Sequence, residues 1–293
     1  MTAINSRLIT FDPVSCPGKG IMMEVLRLDK IHPVISGNKW YKLRFYIKQA
    51  IEQHKKTICT FGGAWSNHIV ATAAACAENG LQAIGIIRGE KPAVLSNTLQ
   101  QAIDFGMQLH FTSREDFRNK KIPFDNSHES ILTVPEGGFG IPGAEGASTI
   151  IELVQPGNYT DICCACGTGT MLAGLAMAAA PQTRVTGISV LKNHTGLEKD
   201  TRSLMGSSNK DFTVLHDFHH GGYAKKTEAL IDFMNRFYSQ TGIPSDFVYT
   251  GKLFFAMDQL LNEGYFAPGS RILVIHSGGL QGNASLENGT LIF

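Results

Sequence analysis

Short apolar runs alternate along the chain with longer stretches of helical period. The first half predicts helices over Lys42–Lys55, Asn67–Asn79 and Ser96–Phe105. Between them it predicts strands over Thr57–Phe61, Leu81–Arg88 and Met107–Phe111. The second half repeats the habit, with strands over Asp161–Ala165, Arg184–Val190 and Arg271–His276. Its helices are expected over Met171–Ala180, Lys225–Gln240 and Lys252–Asn262. Gly80 and Gly106 follow two of the helices, where a left-handed residue closes a helix at little cost. Such alternation predicts an α/β protein with open, twisted, parallel-rich sheets covered by helices.

Two stretches interrupt the pattern. Arg114–Ser130 is polar, and Glu136–Gly146 holds five glycines and a proline. Read as breaks, they predict a small domain over residues 43–141 and a larger one from residues 1–42 and 142–293. The length of 293 residues fits two domains of roughly 100–200 residues each.

Composition narrows the function classes. The chain is 43% hydrophobic and 17% charged, enough to bury a core. Its formal charge is +1 with no basic stripe, which argues against nucleic acid and acidic membranes as partners. The opening MTAINSRLITFDPV lacks the apolar run of a signal peptide, and no stretch reaches the ~20 apolar residues of a membrane span. A cytoplasmic protein is expected. Of six cysteines, Cys163, Cys164 and Cys166 crowd together. Cys163 and Cys166 have C-x-x-C spacing, but no second pair and no matching histidine pair follows. They read as small apolar residues of a buried strand, and no metal is expected. Cys16, Cys59 and Cys76 read as structural too.

Five glycine-marked segments lie at strand ends or before helices, where open α/β sheets collect ligands. In Ser36-Gly37-Asn38-Lys39-Trp40-Tyr41-Lys42, a lysine at a helix start meets the positive end of the helix dipole. That lowers its pKa and frees an amine for covalent chemistry; a solvated surface lysine is the plainer reading. In Gly62-Gly63-Ala64-Trp65-Ser66-Asn67-His68, Ser66 can cap the Ala-rich helix, leaving N–H groups for a carboxylate or phosphate, or making a simple capped turn. Cys166-Gly167-Thr168-Gly169-Thr170 offers glycine backbone, two hydroxyls and a helix N-terminus: a single-phosphate cup or a tight packing turn. It is no Walker loop, and Leu172 stands where a dinucleotide fingerprint needs glycine. Tyr249-Thr250-Gly251-Lys252 and His276-Ser277-Gly278-Gly279 place hydroxyls at two further turns.

Together, and in this order, these segments resemble the 1-aminocyclopropane-1-carboxylate deaminase and D-cysteine desulfhydrase family of tryptophan-synthase-β-like, type II pyridoxal-phosphate enzymes. SGNKWYKL resembles its lysine turn, GGAWSNH its serine–asparagine turn, CGTGT its phosphate loop, and YTGK and HSGG its C-terminal cofactor turns. The resemblance implies pyridoxal 5'-phosphate as cofactor and a homodimer. It implies Lys39 as the Schiff-base lysine and proton carrier, with Lys42 as a rival. It puts Asn67 beside the pyridine ring and Gly167, Thr168, Gly169 and Thr170 on the phosphate. Ser66, Asn67 and His68 would hold a small amino-acid substrate, Ser66 and Tyr249 would take part in catalysis, and Thr250 or Ser277 would face the pyridine nitrogen.

Deaminases of that family carry glutamate and leucine where this chain has Thr250 and Ser277, whereas its desulfhydrases carry small hydroxyl residues. The resemblance therefore implies β-elimination from D-cysteine to pyruvate, ammonia and sulfide. A cyclopropane deaminase, a racemase and a dehydratase are the alternatives within the cofactor class. Outside it stand a nucleotide-binding oxidoreductase and a catalytically silent binding protein. The chain departs from the family at Tyr41 and Val70, where arginines are usual, and His219-His220-Gly221-Gly222-Tyr223 has no counterpart.

Overall fold

The computed structural model describes residues 6–124 and 130–293. The first five residues and part of the polar stretch Arg114–Ser130 lie outside it. The chain begins with strands β1 (Phe11–Val14) and β2 (Met22–Arg27) and helix α1 (Asn38–Glu52). Next come β3 (Thr57–Gly62), α2 (Asn67–Glu78), β4 (Gln82–Arg88), α3 (Asn97–Asp104), β5 (Gln108–Thr112), α4 (Arg114–Arg118) and β6 (Ile131–Val134). The second half runs α5 (Ile141–Ser148), β7 (Asp161–Cys166), α6 (Thr170–Ala178), β8 (Arg184–Ser189), α7 (Leu197–Ser203), β9 (Thr213–Leu215), α8 (Glu228–Thr241), α9 (Thr250–Asn262) and β10 (Arg271–His276).

These strands form two sheets. One has the order β5-β4-β3-β6 and is parallel throughout. The other has the order β1-β2-β10-β7-β8-β9, and only β1 runs antiparallel. Helices cover the sheets, so the central strands are buried on both faces and read as unbroken apolar runs. β3 and β7, the latter Asp-Ile-Cys-Cys-Ala-Cys, are buried at every position. The three cysteines of β7 are thus strand packing residues.

The strands absent from the sequence reading are the edge strands β1, β6 and β9, of three or four residues each, and the interior β2; helices α4, α5 and α7 were absent from it too. α1 begins four residues before the expected Lys42. Its first turn looks polar and aromatic, yet Trp40, Tyr41 and Lys42 are all buried.

Glu136–Gly146, read as a break between domains, is not an open loop. The structure makes it a single 3-10 turn, Glu136–Gly138, followed by helix α5. Its glycines are contact points rather than loosening devices. A Cβ on Gly146 would stand 2.1 Å from the Tyr41 carbonyl oxygen of α1. One on Gly143 would stand 2.0 Å from the Gly138 oxygen, and one on Gly174 of α6 would stand 2.5 Å from the Ala144 oxygen. α5 is therefore wedged between α1 and α6 with backbone against backbone. Those two helices start at the lysine turn and at the Gly167–Gly169 loop, so this packing fixes the two relative to one another.

Candidate active site

One cavity of about 560 Å³ takes lining residues from all five glycine-marked segments. It opens at the carboxyl ends of β3, β4, β6, β7 and β10, through Gly63, Arg88, Pro135, Cys166 and Ser277. That is where an open parallel sheet leaves backbone ends free to meet a ligand.

Lys39 and Lys42 both line it, one helical turn apart on α1. Lys39 Nζ donates to Asn38 Oδ1 at 2.9 Å. Burial lowers the Lys39 pKa to about 8, and the opposing charge of Asp246 keeps it from falling further. The sequence argument rested on the helix start; burial is the cause the structure adds. Lys42 is only 4% exposed and is held well below the ordinary lysine range, by burial and then by the charge of Lys39. Its Nζ lies 3.4 Å from the Gly137 oxygen. The turn that carries both lysines is locked: a Cβ on Gly37, whose φ is +62°, would stand 1.9 Å from the Ser277 oxygen.

On the opposite wall, Ser66 caps α2 as expected, its hydroxyl accepting from the Ile69 N–H at 3.4 Å. The Asn67 amide donates to the Gly279 oxygen at 3.1 Å, which leaves its buried Oδ1 without a partner. His68 is 2% exposed, and its Nε2 meets the Thr60 hydroxyl at 2.9 Å. Its Nδ1 is buried and unpaired. Burial first, and then Lys39 and Lys42, push its pKa well below 6.5, so the ring is neutral.

The Gly167–Gly169 loop enters α6 through Gly169, whose φ of +76° makes it the left-handed cap. The first N–H groups of a helix have no partner within it, and here they lie beside the cavity. Gly167, Thr168 and Gly169 line the cavity directly. Thr170 is fully buried behind them, and its hydroxyl meets that of Thr168 at 2.9 Å.

The two C-terminal turns separate. Ser277 and Tyr249 line the cavity, and burial raises the Tyr249 pKa well above 10. Thr250 does not line it. The Thr250 hydroxyl is fully buried and donates to Asp246 Oδ1 at 2.7 Å. Asp246 also accepts from the N–H groups of Val248, Tyr249 and Thr250 at 3.0, 2.9 and 2.9 Å. This fully buried carboxylate organises the turn, and burial raises its pKa against those hydrogen bonds. Sequence reasoning missed it, although an acid just ahead of a helix N-terminus is a known capping signal.

The motif His219–Tyr223 also reaches the site. Tyr223 lines the cavity, with its ring centroid 6.2 Å from that of Tyr249. Fully buried Lys252 donates to the Gly222 oxygen at 2.7 Å and so ties this segment to α9. Arg88, Lys120, Glu136, His194 and Asp200 also line the cavity and were not foreseen.

Comparison with known proteins bears on this geometry. The family model described as pyridoxal-phosphate dependent enzyme matches residues 17–278. The chain is 28% identical, over 85% of its length and 70% of the relative's, to a bifunctional D-cysteine desulfhydrase/1-aminocyclopropane-1-carboxylate deaminase of Arabidopsis thaliana. It is 29% identical to a putative 1-aminocyclopropane-1-carboxylate deaminase of Thermotoga maritima, covering 90% of each. It is 23% identical to a D-cysteine desulfhydrase of Salmonella typhi, over 87% of this chain and 86% of that one. Among solved structures, an ACC deaminase homologue superposes with a TM-score of 0.79 at 25% identity, covering 94% of this chain and 90% of that one.

The residues present suit the cofactor that the family uses. A half-buried lysine with a lowered pKa offers an amine, the glycine loop ahead of α6 offers free N–H groups and the Thr168 hydroxyl to a phosphate, and Asn67 keeps an amide oxygen unpartnered among the described residues. With a matching family model across most of its length and a cavity furnished in this way, the chain belongs to the pyridoxal-phosphate dependent enzymes.

Proposed function

We propose that the protein is a pyridoxal-phosphate-dependent lyase that eliminates a β-substituent from a small amino acid. D-cysteine is its reference substrate, and pyruvate, ammonia and sulfide are the products. The observation that carries this reading is the pair Thr250 and Ser277, neutral hydroxyls where the resembling deaminases carry glutamate and leucine, with Ser277 on the cavity wall. When bound, the cofactor supplies an electron sink for a carbanion at the substrate α-carbon. A hydroxyl at the ring nitrogen does not stabilise a protonated ring as a carboxylate does. Loss of a β-substituent therefore fits better than opening of a cyclopropane.

In this proposal, N–H groups of the Gly167–Gly169 loop and the Thr168 hydroxyl hold the phosphate. Thr170 supports them by its hydrogen bond to Thr168. Asn67 stands beside the ring. With Thr250 committed to Asp246, the role facing the ring nitrogen goes to Ser277. Lys39 attaches the cofactor and, when displaced, its Nζ accepts the α-proton. A pKa of about 8 leaves roughly a tenth of this amine neutral at pH 7, against less than a thousandth for an ordinary lysine. Ser66 Oγ and the N–H groups opening α2 orient the substrate carboxylate. Neutral His68 backs them, and Tyr249 flanks the substrate. We assign cofactor binding to residues 1–42 and 142–293, the small domain to residues 43–141, and a cytoplasmic homodimer to the working enzyme.

The test begins with purified protein and added pyridoxal phosphate. Borohydride trapping followed by peptide mapping is expected to label Lys39; a label on Lys42 overturns the assignment. A panel of D- and L-amino acids is then assayed for keto acid, ammonia and sulfide. Sulfide from D-cysteine supports the reading, whereas racemised product, dehydration of serine or opening of the cyclopropane amino acid assigns one of the alternatives. A protein that gains no visible absorption band with the cofactor refutes the whole account.

A further inference from the structure

The charges that line the cavity are unevenly matched. Glu136 pairs with Lys120 at 2.6 Å, and Asp200 meets His194 at 3.4 Å. Lys39 and Lys42 are the buried amines of α1. Arg88 is left as a lining cation with no carboxylate partner among the described residues.

Arg88 is firmly placed. It is the last residue of β4, paired in register with Thr112 of β5, and the next N–H, that of Gly89, donates to the Thr112 oxygen at 2.8 Å. Its guanidinium lies 5.8 Å from the Phe117 ring centroid, and Lys120 Nζ lies 4.4 Å from the same ring. An aromatic platform of this kind holds a guanidinium while leaving N–H groups free. The guanidinium also reaches the serine turn: a Cβ on Gly63 would stand 3.6 Å from Arg88 Nη2. Gly63 thus leaves open the space between Arg88 and the wall that carries Ser66. The Gly167–Gly169 loop follows a strand of the other sheet, so the unmatched charge and the proposed phosphate cradle are carried by different sheets.

We propose that Arg88 is a specificity-determining residue that binds an anionic β-substituent, so that the preferred substrate is an amino acid whose β-substituent carries its own negative charge, such as a phosphate ester or an S-sulfonate. The proposal rests on the β-elimination reading above. In the reaction, the α-proton passes to Lys39 Nζ and the bond between the β-carbon and the substituent breaks. The electron pair leaves with the substituent, as phosphate or thiosulfate. Water then releases the remaining carbon skeleton as pyruvate and ammonia. Arg88 pairs with the substituent before and after the bond breaks, through forked N–H donors suited to phosphate and sulfonate oxygens.

The test uses the cofactor-loaded protein and reads the shift of its visible band on titration with serine and O-phosphoserine, each as both enantiomers. For one enantiomer, O-phosphoserine is expected to bind at least about tenfold more tightly than serine, the gain of a charge-assisted bidentate contact. Arg88→Gln should remove that advantage and leave the serine titration unchanged; Arg88→Lys should keep part of it. Added salt should erode it, since Arg88 is exposed. Equal binding of the pair by the wild-type protein overturns the proposal, as does equal weakening of both ligands by Arg88→Gln. A visible band that no amino acid shifts overturns it as well. A missing visible band instead refutes the cofactor reading beneath it, which separates the two failures.

Discussion

Gly146→Ala adds one methyl group to α5 at the point where that helix meets α1. The new Cβ would stand 2.1 Å from the Tyr41 oxygen, 2.9 Å from the Tyr41 carbonyl carbon and 3.3 Å from the Lys42 Cα. All three are backbone atoms, so no side chain can swing aside. Ordinary contact requires α5 to retreat by roughly 1 Å in an interior packed like a crystal. Overpacking of this kind costs about 1–3 kcal/mol, and a clash with rigid backbone belongs at the upper end. Alanine returns about 1 kcal/mol of helix propensity over glycine. The net expectation is a loss of about 2 kcal/mol, equivalent to roughly 4–8 °C in Tm for a chain of this size class. Urea denaturation followed by circular dichroism measures it. Gly282→Ala serves as control, because its methyl would make an ordinary 3.8 Å contact with Val248, and it should change stability by less than about 0.5 kcal/mol. If Gly146→Ala is as stable as wild type or more so, helix propensity has won, and the close approach of α5 to α1 is not what holds the lysine turn.

Other outcomes follow from the buried charges. Lys39 and Lys252 each have a pKa lowered to about 8 in the folded chain, so between about pH 8 and 10 the unfolded chain binds more protons at these two amines. The buried cysteine thiols, raised by burial, pull stability the other way over the same window, so the lysine contribution is read as a difference: relative to Lys252→Met, the cofactor-free wild type should gain stability from pH 8 to pH 10 in urea midpoints. Asp246→Asn replaces a buried acceptor of four hydrogen bonds by a group that brings N–H donors toward N–H groups; a loss of about 2–4 kcal/mol in urea unfolding is expected. Lys252→Met removes the bond to the Gly222 oxygen, so amide hydrogen exchange should quicken across residues 219–223 while the core strands keep their protection.

Much of the fold was legible because burial imposes period. β3, β7 and β10 lie deep in parallel sheets, and their continuous apolar runs marked them within a residue or two. β1, β2, β6 and β9 were not legible. β1, β6 and β9 are edge strands of three or four residues and carry no such run; β2 lies inside its sheet, but Glu24 and Arg27 interrupt its apolar run, and all four are recruited by neighbours that pair with them. The glycines of α5 misled for a related reason. Locally they favour a break; in the folded chain they admit the close approach of α1, Gly138 and α6. Of the candidate site, Lys39, Ser66, Asn67, Thr168 and Ser277 were legible because each stands in a turn whose residue types carry chemistry. Asp246 stands just ahead of such a turn, where its capping signal went unread, whereas Arg88 stands in none and only its surroundings single it out.

By itself the sequence determined the chemical equipment: an amine after a glycine turn, a capped helix start, a glycine-threonine loop and two hydroxyl turns, in an order that named the family. These are local properties, written in neighbouring residues. The tertiary structure decided what that equipment faces. It buried Lys39 and so lowered its pKa, gave the Thr250 hydroxyl to Asp246 and left Ser277 on the cavity wall. It also left Arg88 at the same cavity without a carboxylate partner among the described residues. Burial and pairing between residues distant in the chain are set by packing, and packing exists only once the two sheets are in place.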